Sequence, residues 1–366
     1  MQRNILITGG AGFIGSRLIS SLLKAEPNCR IWVLDNLHPQ VHGNNAIPPD
    51  FPASVVFVKG DVADKSIVNS IVNDAQPELV YHLAAETGTG QSYDEVSRYC
   101  DVNVMGTAIL TESIRSEAKD VTKKIVLAAS RAVYGEGAYI DNAGRVFGGL
   151  PRQADAMSLG DFNVPIANEA QLPIQACPSQ SNLSPAPASI YASTKLMQEY
   201  ILKQAGEGST WKATILRFQN VYGPGQSLRN PYTGVLSIFA RQLLDGKKLA
   251  IYEDGLIARD FVFVDDVVNA LLRAGQSDLS HGATIDIGSG EAITILDVAR
   301  ILMKNLGCSD NNYTITGQFR VGDIRHACAD IKAARDSLAW EPEISIQEGL
   351  SLLAEWAKIE FASNSL

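Results

Sequence analysis

The chain has 366 residues, 46% hydrophobic and 19% charged, a balance that excludes a disordered polymer and suggests about two domains. Thirty-one Lys and Arg against 40 Asp and Glu leave a net charge of -9, so nucleic acid and anionic membrane are not expected partners, and an anionic ligand requires arginines gathered locally. The five cysteines form no CxxC and the five histidines no HExxH, which fits a reducing compartment and points away from a bound metal.

The sequence opens almost at once on a strand, Asn4 to Thr8, so no signal peptide is expected. Phe13 to Lys24 then has helical spacing, with Ile14, Leu18 and Leu22 on one face. Short apolar runs follow at Ile31 to Leu34, Val55 to Val58, Leu79 to Leu83, Ile125 to Leu127 and Thr214 to Leu216. Helical stretches such as Lys65 to Asn73 and Glu95 to Ala118 lie between them. Apolar strands alternating with amphipathic helices predict a doubly wound parallel sheet, an α/β Rossmann domain. Beyond Phe218 the pattern loosens into a helix over Val235 to Leu244, strands at Phe261 to Val264 and Thr284 to Ile287, and an amphipathic tail helix from Ile346 to Ile359. The expected division is a dinucleotide-binding domain of residues 1–217 and 261–288, and a smaller C-terminal α/β substrate domain of residues 218–260 and 289–366. The longest charge-free stretch, Ala170 to Thr194, holds four prolines and cannot span a bilayer as a helix, so a soluble cytoplasmic protein is expected. Residues 136–187 are rich in Pro, Gln, Ser and Ala and weakly periodic, which predicts an insertion with its own small structure, a lid, or a solvated decoration.

Between the first strand and first helix lies Gly9-Gly10-Ala11-Gly12-Phe13-Ile14-Gly15. Glycines at 9, 12 and 15 permit a tight turn, close backbone approach to a pyrophosphate, and close packing of helix on strand. Asp35 ends the second strand, 26 residues after Gly9, where a carboxylate accepts bonds from the adenine ribose hydroxyls and repels a 2′-phosphate, favouring NAD over NADP. Asp61 follows the third strand and either meets the adenine or caps a helix. Further along, Tyr191 and Lys195 stand four apart on a helix and so share a face. An ammonium beside the phenol stabilises the phenolate and makes the tyrosine a usable base. Ser130, after the fifth strand, supplies a hydroxyl to hold the reacting oxygen.

TGGAGFIG, LDNL, GDV, HLAA, DVNVMGT, SRAVYGEG, YASTK, LRFQNVYGPG, RDFVFVDDV and RVGDIRH occur in that order. Together they resemble the extended short-chain dehydrogenase/reductases that modify nucleotide sugars. The resemblance implies NAD held by Gly9, Gly12, Phe13, Ile14, Gly15, Asp35, Asn36, Asp61, Val62, Leu83, Ala84, Ala85, Asn103, Tyr191 and Lys195, with Asn103 also read as a structural brace. It implies Ser130, Tyr191 and Lys195 as the catalytic triad, and Ser130, Asn220, Arg259, Arg320 and Asp323 as contacts of a dTDP- or UDP-hexose. It also implies a homodimer built on the Glu95–Ala118 and Tyr191–Ala205 helices. Tyr93 and Tyr134 either pack near the nicotinamide or sugar or belong to the core.

Sugar 4,6-dehydratases of this family carry an acid pair after the serine; Arg131 and Ala132 stand there instead and cannot serve elimination. The resemblance therefore implies a nucleotide-sugar 4-epimerase working through a 4-keto sugar. The segments DNLHPQVHG, GTGQSYDEVSRYCDVN and SRAVYGEGAY, and the long span from Ser130 to Tyr191, look like the dTDP-L-rhamnose 4-epimerase group. A UDP-glucose or UDP-N-acetylglucosamine 4-epimerase, a 4-ketoreductase and a non-catalytic NAD-binding protein stay open as alternatives at this point.

Overall fold

A strand covered by helices on both faces needs apolar side chains at every position, and the runs named above have them. The computed structural model describes residues 2–44, 46–165, 171–228, 230 and 234–363; residues 166–170 of the expected insertion lie outside the described residues. The first half comprises β1 (Asn4–Thr8), α1 (Phe13–Ala25), β2 (Arg30–Asp35), α2 (Pro39–His42), β3 (Val55–Lys59), α3 (Lys65–Ala75), β4 (Leu79–His82), α4 (Gln91–Asp94), α5 (Val96–Tyr99), α6 (Gly106–Glu117) and β5 (Lys124–Ser130). The insertion contains β6 (Ala138–Ile140), β7 (Val146–Gly148), α7 (Ala154–Ser158) and β8 (Gln175–Cys177). Then come α8 (Ile190–Gly206), β9 (Lys212–Phe218), β10 (Asn220–Tyr222), α9 (Val235–Leu244), β11 (Leu249–Ile251), β12 (Ala258–Phe263), α10 (Val264–Gln276) and β13 (Thr284–Ile287). The chain finishes with β14 (Ala292–Thr294), α11 (Ile295–Leu306), β15 (Tyr313–Ile315), α12 (Lys332–Leu338) and α13 (Ile346–Ser363).

Seven strands form one sheet in the order β13-β9-β5-β4-β1-β2-β3. All its pairings are parallel. The winding reverses between β1 and β4, and ligands of such sheets bind in the crevice where that happens. Successive residues of β1 feed opposite faces. Ile5 and Ile7 join Leu18, Leu22, Val267 and Leu271 of α1 and α10. Leu6 joins Val68, Val72, Leu110, Ile114 and Leu202 of α3, α6 and α8. Each such side chain, removed from water, contributes about 1.5–3 kcal/mol.

Phe261 to Phe263 pair not with the large sheet but with Asn220 to Tyr222, in a smaller sheet ordered β10-β12-β14. The chain then returns to the large sheet through α10 and β13. Strands β11 and β15 pair beside α9, α11 and α13, whose contact face buries Leu243, Leu302 and Ala357. The insertion folds as an antiparallel sheet ordered β7-β6-β8.

The stretch expected as one helix from Glu95 to Ala118 is three: α5, a π-helical turn over Cys100–Met105, and α6. A π turn widens the helix by one residue, and such turns gather at functional sites. Here it places Asn103 fully inside, with the Asn103 carbonyl accepting from Thr107 Oγ1 at 2.6 Å.

Candidate active site

The glycine loop sits where β1 hands over to α1, at the reversal point. Gly9 has φ +71°, and a Cβ there would stand 2.7 Å from the backbone nitrogen of Ala84. A Cβ on Gly15 would stand 2.5 Å from the Gly9 carbonyl oxygen, so only hydrogen lets the helix close on the loop. Gly12 caps α1 without a side-chain acceptor, which leaves the opening amides for an anion. Phe13 and Ile14 present only backbone N–H to that spot; their side chains pack with Phe261 and Phe263 of the smaller sheet.

A cleft opens beyond the loop, lined by Gly9, Gly12, Asp35, Asn36, Asp61, Val62, Leu83, Ala84 and Ala85. Asp35 Oδ2 accepts from Ala11 N at 3.0 Å and Oδ1 from Leu37 N at 2.9 Å. Each oxygen keeps a free lone pair, so the carboxylate still accepts from a ribose diol and still repels a phosphate. These groups fit NAD. Asn36 Nδ2 donates to Asp61 Oδ2 at 2.8 Å, and Asp61 Oδ1 accepts from Ala63 N at 2.9 Å. The cap of α3 is Asp64, not Asp61, because Asp64 Oδ1 accepts from Ser66 N and Ile67 N. Asn103, expected among the cofactor contacts, has both Nδ2 protons and one Oδ1 lone pair engaged by protein. It accepts from Glu86 N at 2.8 Å and donates to Glu86 O and Thr194 Oγ1 at 3.1 and 3.0 Å. It braces the loop after β4 against α8. Sequence reasoning missed the outer wall formed by His38, Gln40, His42, Glu86, Thr87 and Arg98.

At the other end, Ser130 closes β5 and Tyr191 opens α8, whose first amides are capped by Ser189. Burial raises the pKa of Tyr191, and the neighbouring Ser130 hydroxyl pulls against it in favour of the phenolate. Lys195 is held by protein groups on α8 and β5. Its Nζ donates to the Ala128 carbonyl at 2.7 Å and to Gln198 Oε1, and Gln198 donates to Thr107 Oγ1 at 2.8 Å. Burial brings the lysine's pKa down to about 7, against an opposing pull from Glu199. His82, buried behind, is pushed to about 3 by burial and by Lys195, so it is neutral. Its ring bridges Thr8 Oγ1 at 2.7 Å and Thr107 Oγ1 at 2.9 Å. The cation that acts on Tyr191 is Arg131.

Arg131 makes no hydrogen bond or ion pair with any described residue, unlike buried Arg152, Arg217 and Arg259. Burial and Arg259 lower its pKa to about 10, which leaves it protonated at neutral pH. Sequence reasoning noticed position 131 only for lacking an acid. Arg259, expected at the diphosphate, and Asp323, expected near the nucleoside ribose, form an ion pair at 2.6 Å. Arg320 is exposed and lies over the Tyr252 ring, 5.0 Å from its centroid. Asn220 Oδ1 is buried without a hydrogen-bond partner among the described residues, an acceptor left over for a ligand. Tyr134 is core: its hydroxyl donates to Asp286 and accepts from Arg217 Nη1 at 2.7 Å. Tyr93 instead reaches Ala188 O at 2.9 Å and borders Gly322.

Among the described residues there is no cluster of three or more metal-ligating side chains, and no helix is long and apolar enough to cross a membrane.

Comparison with known proteins agrees with this geometry. A family model described as GDP-mannose 4,6 dehydratase matches residues 6–142, and one described as the NAD dependent epimerase/dehydratase family matches residues 168–288. The chain is 41% identical over 354 residues to a dTDP-L-rhamnose 4-epimerase of Burkholderia thailandensis, covering 97% of this chain and 94% of that one. It is 32% identical to a putative UDP-glucose 4-epimerase of Methanocaldococcus jannaschii, covering 97% and 98%. Among solved structures, UDP-glucose 4-epimerase of Thermotoga maritima with UDP-glucose matches with a TM-score of 0.78 at 28% identity, covering 98% and 99%. The NAD complex of the Thermus thermophilus UDP-glucose 4-epimerase matches with a TM-score of 0.76 at 26% identity, covering 97% and 98%.

Proposed function

The chain belongs to the NAD-dependent epimerase/dehydratase family, and from that premise we propose that it is a nucleotide-sugar 4-epimerase acting on dTDP-L-rhamnose or a closely similar dTDP- or UDP-hexose. The observation that carries this reading is Ser130 closing β5 as the hydroxyl neighbour of Tyr191 on α8, with Arg131 and Ala132 where elimination needs an acid. NAD, when bound, supplies reversible uptake of hydride from the sugar carbon. The protein's own groups handle the proton. Ser130 holds the 4-hydroxyl, and Tyr191 takes its proton and later returns it to the 4-keto oxygen of the turned sugar. Tyr191 must be a phenolate for this, and its burial opposes that state. The Ser130 hydroxyl and the Arg131 guanidinium favour it.

In this reading Arg259 and Arg320 grip the diphosphate, Asn220 lies near the sugar phosphates, and Asp323 lies near the nucleoside ribose. Arginine forks match phosphate oxygens, so a diphosphate competes with Asp323 for Arg259. The sugar is left free to turn between its two hydride-accepting faces.

The test is turnover of purified protein with no added cofactor, in deuterated water, followed by NMR with dTDP-L-rhamnose, UDP-glucose and UDP-N-acetylglucosamine. A 4-epimer without deuterium at carbon 4 is expected from one of them. Conversion only on addition of NADH or NADPH would sink the epimerase reading in favour of a reductase.

The reading includes a cytoplasmic homodimer, and all five cysteines are free thiols. Val96, Met105, Met197 and Tyr200 are each more than 40% exposed along α5, the π turn and α8, an apolar face that a second copy would cover. Light scattering should give twice 39.4 kDa, and Met105→Glu should halve it. A wild-type monomer would refute this assembly.

A further inference from the structure

The insertion meets the smaller domain through buried charge. The Arg152 side chain is 1% exposed. Its Nε donates to Glu136 Oε1 at 2.9 Å, its Nη1 to both Glu253 oxygens at 2.9 Å, and its Nη2 to the Asp323 carbonyl at 2.7 Å. Arg325 completes the cluster: Nη1 donates to Glu253 Oε2 at 2.9 Å, both Nη atoms donate to Asp254 at 2.7 Å, and the backbone N–H donates to Glu136 Oε2 at 2.6 Å.

Glu253 is the pivot. Its side chain is fully buried, and its φ of +53° lies in the left-handed region, which a glutamate adopts only when its surroundings compel it. Its N–H donates to the Gln318 carbonyl at 2.8 Å, and its own carbonyl accepts from Gly317 N at 3.2 Å. The loop of residues 317–325 is thus fastened at its start by the Glu253 backbone and at its end by Arg152 and Glu136. Between those points it carries Arg320 and Asp323. A guanidinium withdrawn from such a site would leave two carboxylates charged in the interior, so the insertion does not swing as a lid.

We infer that the insertion is a fixed wall of the nucleotide-sugar pocket, and that Arg152 is a positioning residue that holds the loop of Arg320 and Asp323 where it grips the nucleoside diphosphate. The inference rests on the nucleotide-sugar reading for its ligand and on the contacts above for its geometry.

The experiment compares wild type, Arg152→Lys, Arg152→Met and the double variant Arg152→Met/Glu136→Gln, which keeps the cluster's charge balance if the single Met variant fails to fold. Binding of dTDP and of UDP is measured by calorimetry, bound NAD is quantified after denaturation, and amide exchange is followed by mass spectrometry. In the Met variants the Kd of the preferred nucleoside diphosphate should rise about tenfold, with partial rescue in Arg152→Lys. NAD content should not change. Exchange should quicken over residues 317–325 and stay as it was over residues 9–15. Unchanged exchange over 317–325 would overturn the positioning role. Quickened exchange with unchanged diphosphate affinity would overturn the link to the pocket. A wild type that binds neither dTDP nor UDP would instead refute the nucleotide-sugar reading, and the exchange result would still decide the role of Arg152.

Discussion

Tyr191→Phe should lose about a thousandfold or more in kcat and keep its NAD, since a positioned general base is worth about 10²- to 10⁴-fold. The hydroxyl that is removed neighbours Ser130, while the ring packs edge-on against Tyr99 with centroids 6.4 Å apart, a contact phenylalanine preserves. Among the described residues no group lining the cofactor cleft hydrogen-bonds to that hydroxyl, so NAD released on denaturation should match wild type. Loss of NAD together with activity would place Tyr191 in binding and not in proton transfer. Retained turnover would overturn its assignment as the base.

Arg131→Met should shift the acid limb of the kcat profile upward by about one to two pH units, roughly ten- to hundredfold in rate at pH 7. The sign follows from the charges. A cation beside the phenol lowers the pKa of Tyr191, and Arg131 is the cation that does so. Removing it raises that pKa and thins the phenolate at neutral pH. Activity should recover toward wild type near pH 9, and Arg131→Lys should restore most of the neutral-pH rate. Lys195 does not substitute, because its pKa of about 7 means its charge fades as pH rises toward the range where the phenol ionises. A loss of equal size at every pH would show that Arg131 acts by some route other than the charge on Tyr191.

Much of the fold was legible. Asn4 to Thr8 and its parallel partners read as strands because a sheet covered on both faces leaves an uninterrupted apolar run. The helix over Glu95 to Ala118 was less so, since a π turn departs from the 3.6-residue period on which the reading depends. Phe261 to Phe263 looked like one more strand of the large sheet; apolar content marks a strand, not the sheet it joins. The insertion's strands have only three residues each, too short for a period to show.

The sequence by itself determined what short range dictates. Gly9, Gly12 and Gly15 between a strand and a helix, Asp35 at the next strand's end, and Tyr191 and Lys195 on one helical face depend on backbone sterics and helix pitch, which act within a few residues. Only the tertiary structure decided which charges meet. Lys195 turns to Ala128 and Gln198, Arg259 pairs with Asp323 across 64 residues, and Arg152 reaches Glu253 across 101. In each case burial selects the partner, because a charge removed from water must take whichever opposite charge or carbonyl the packed chain brings within 3 Å or so, and no local pattern encodes that choice.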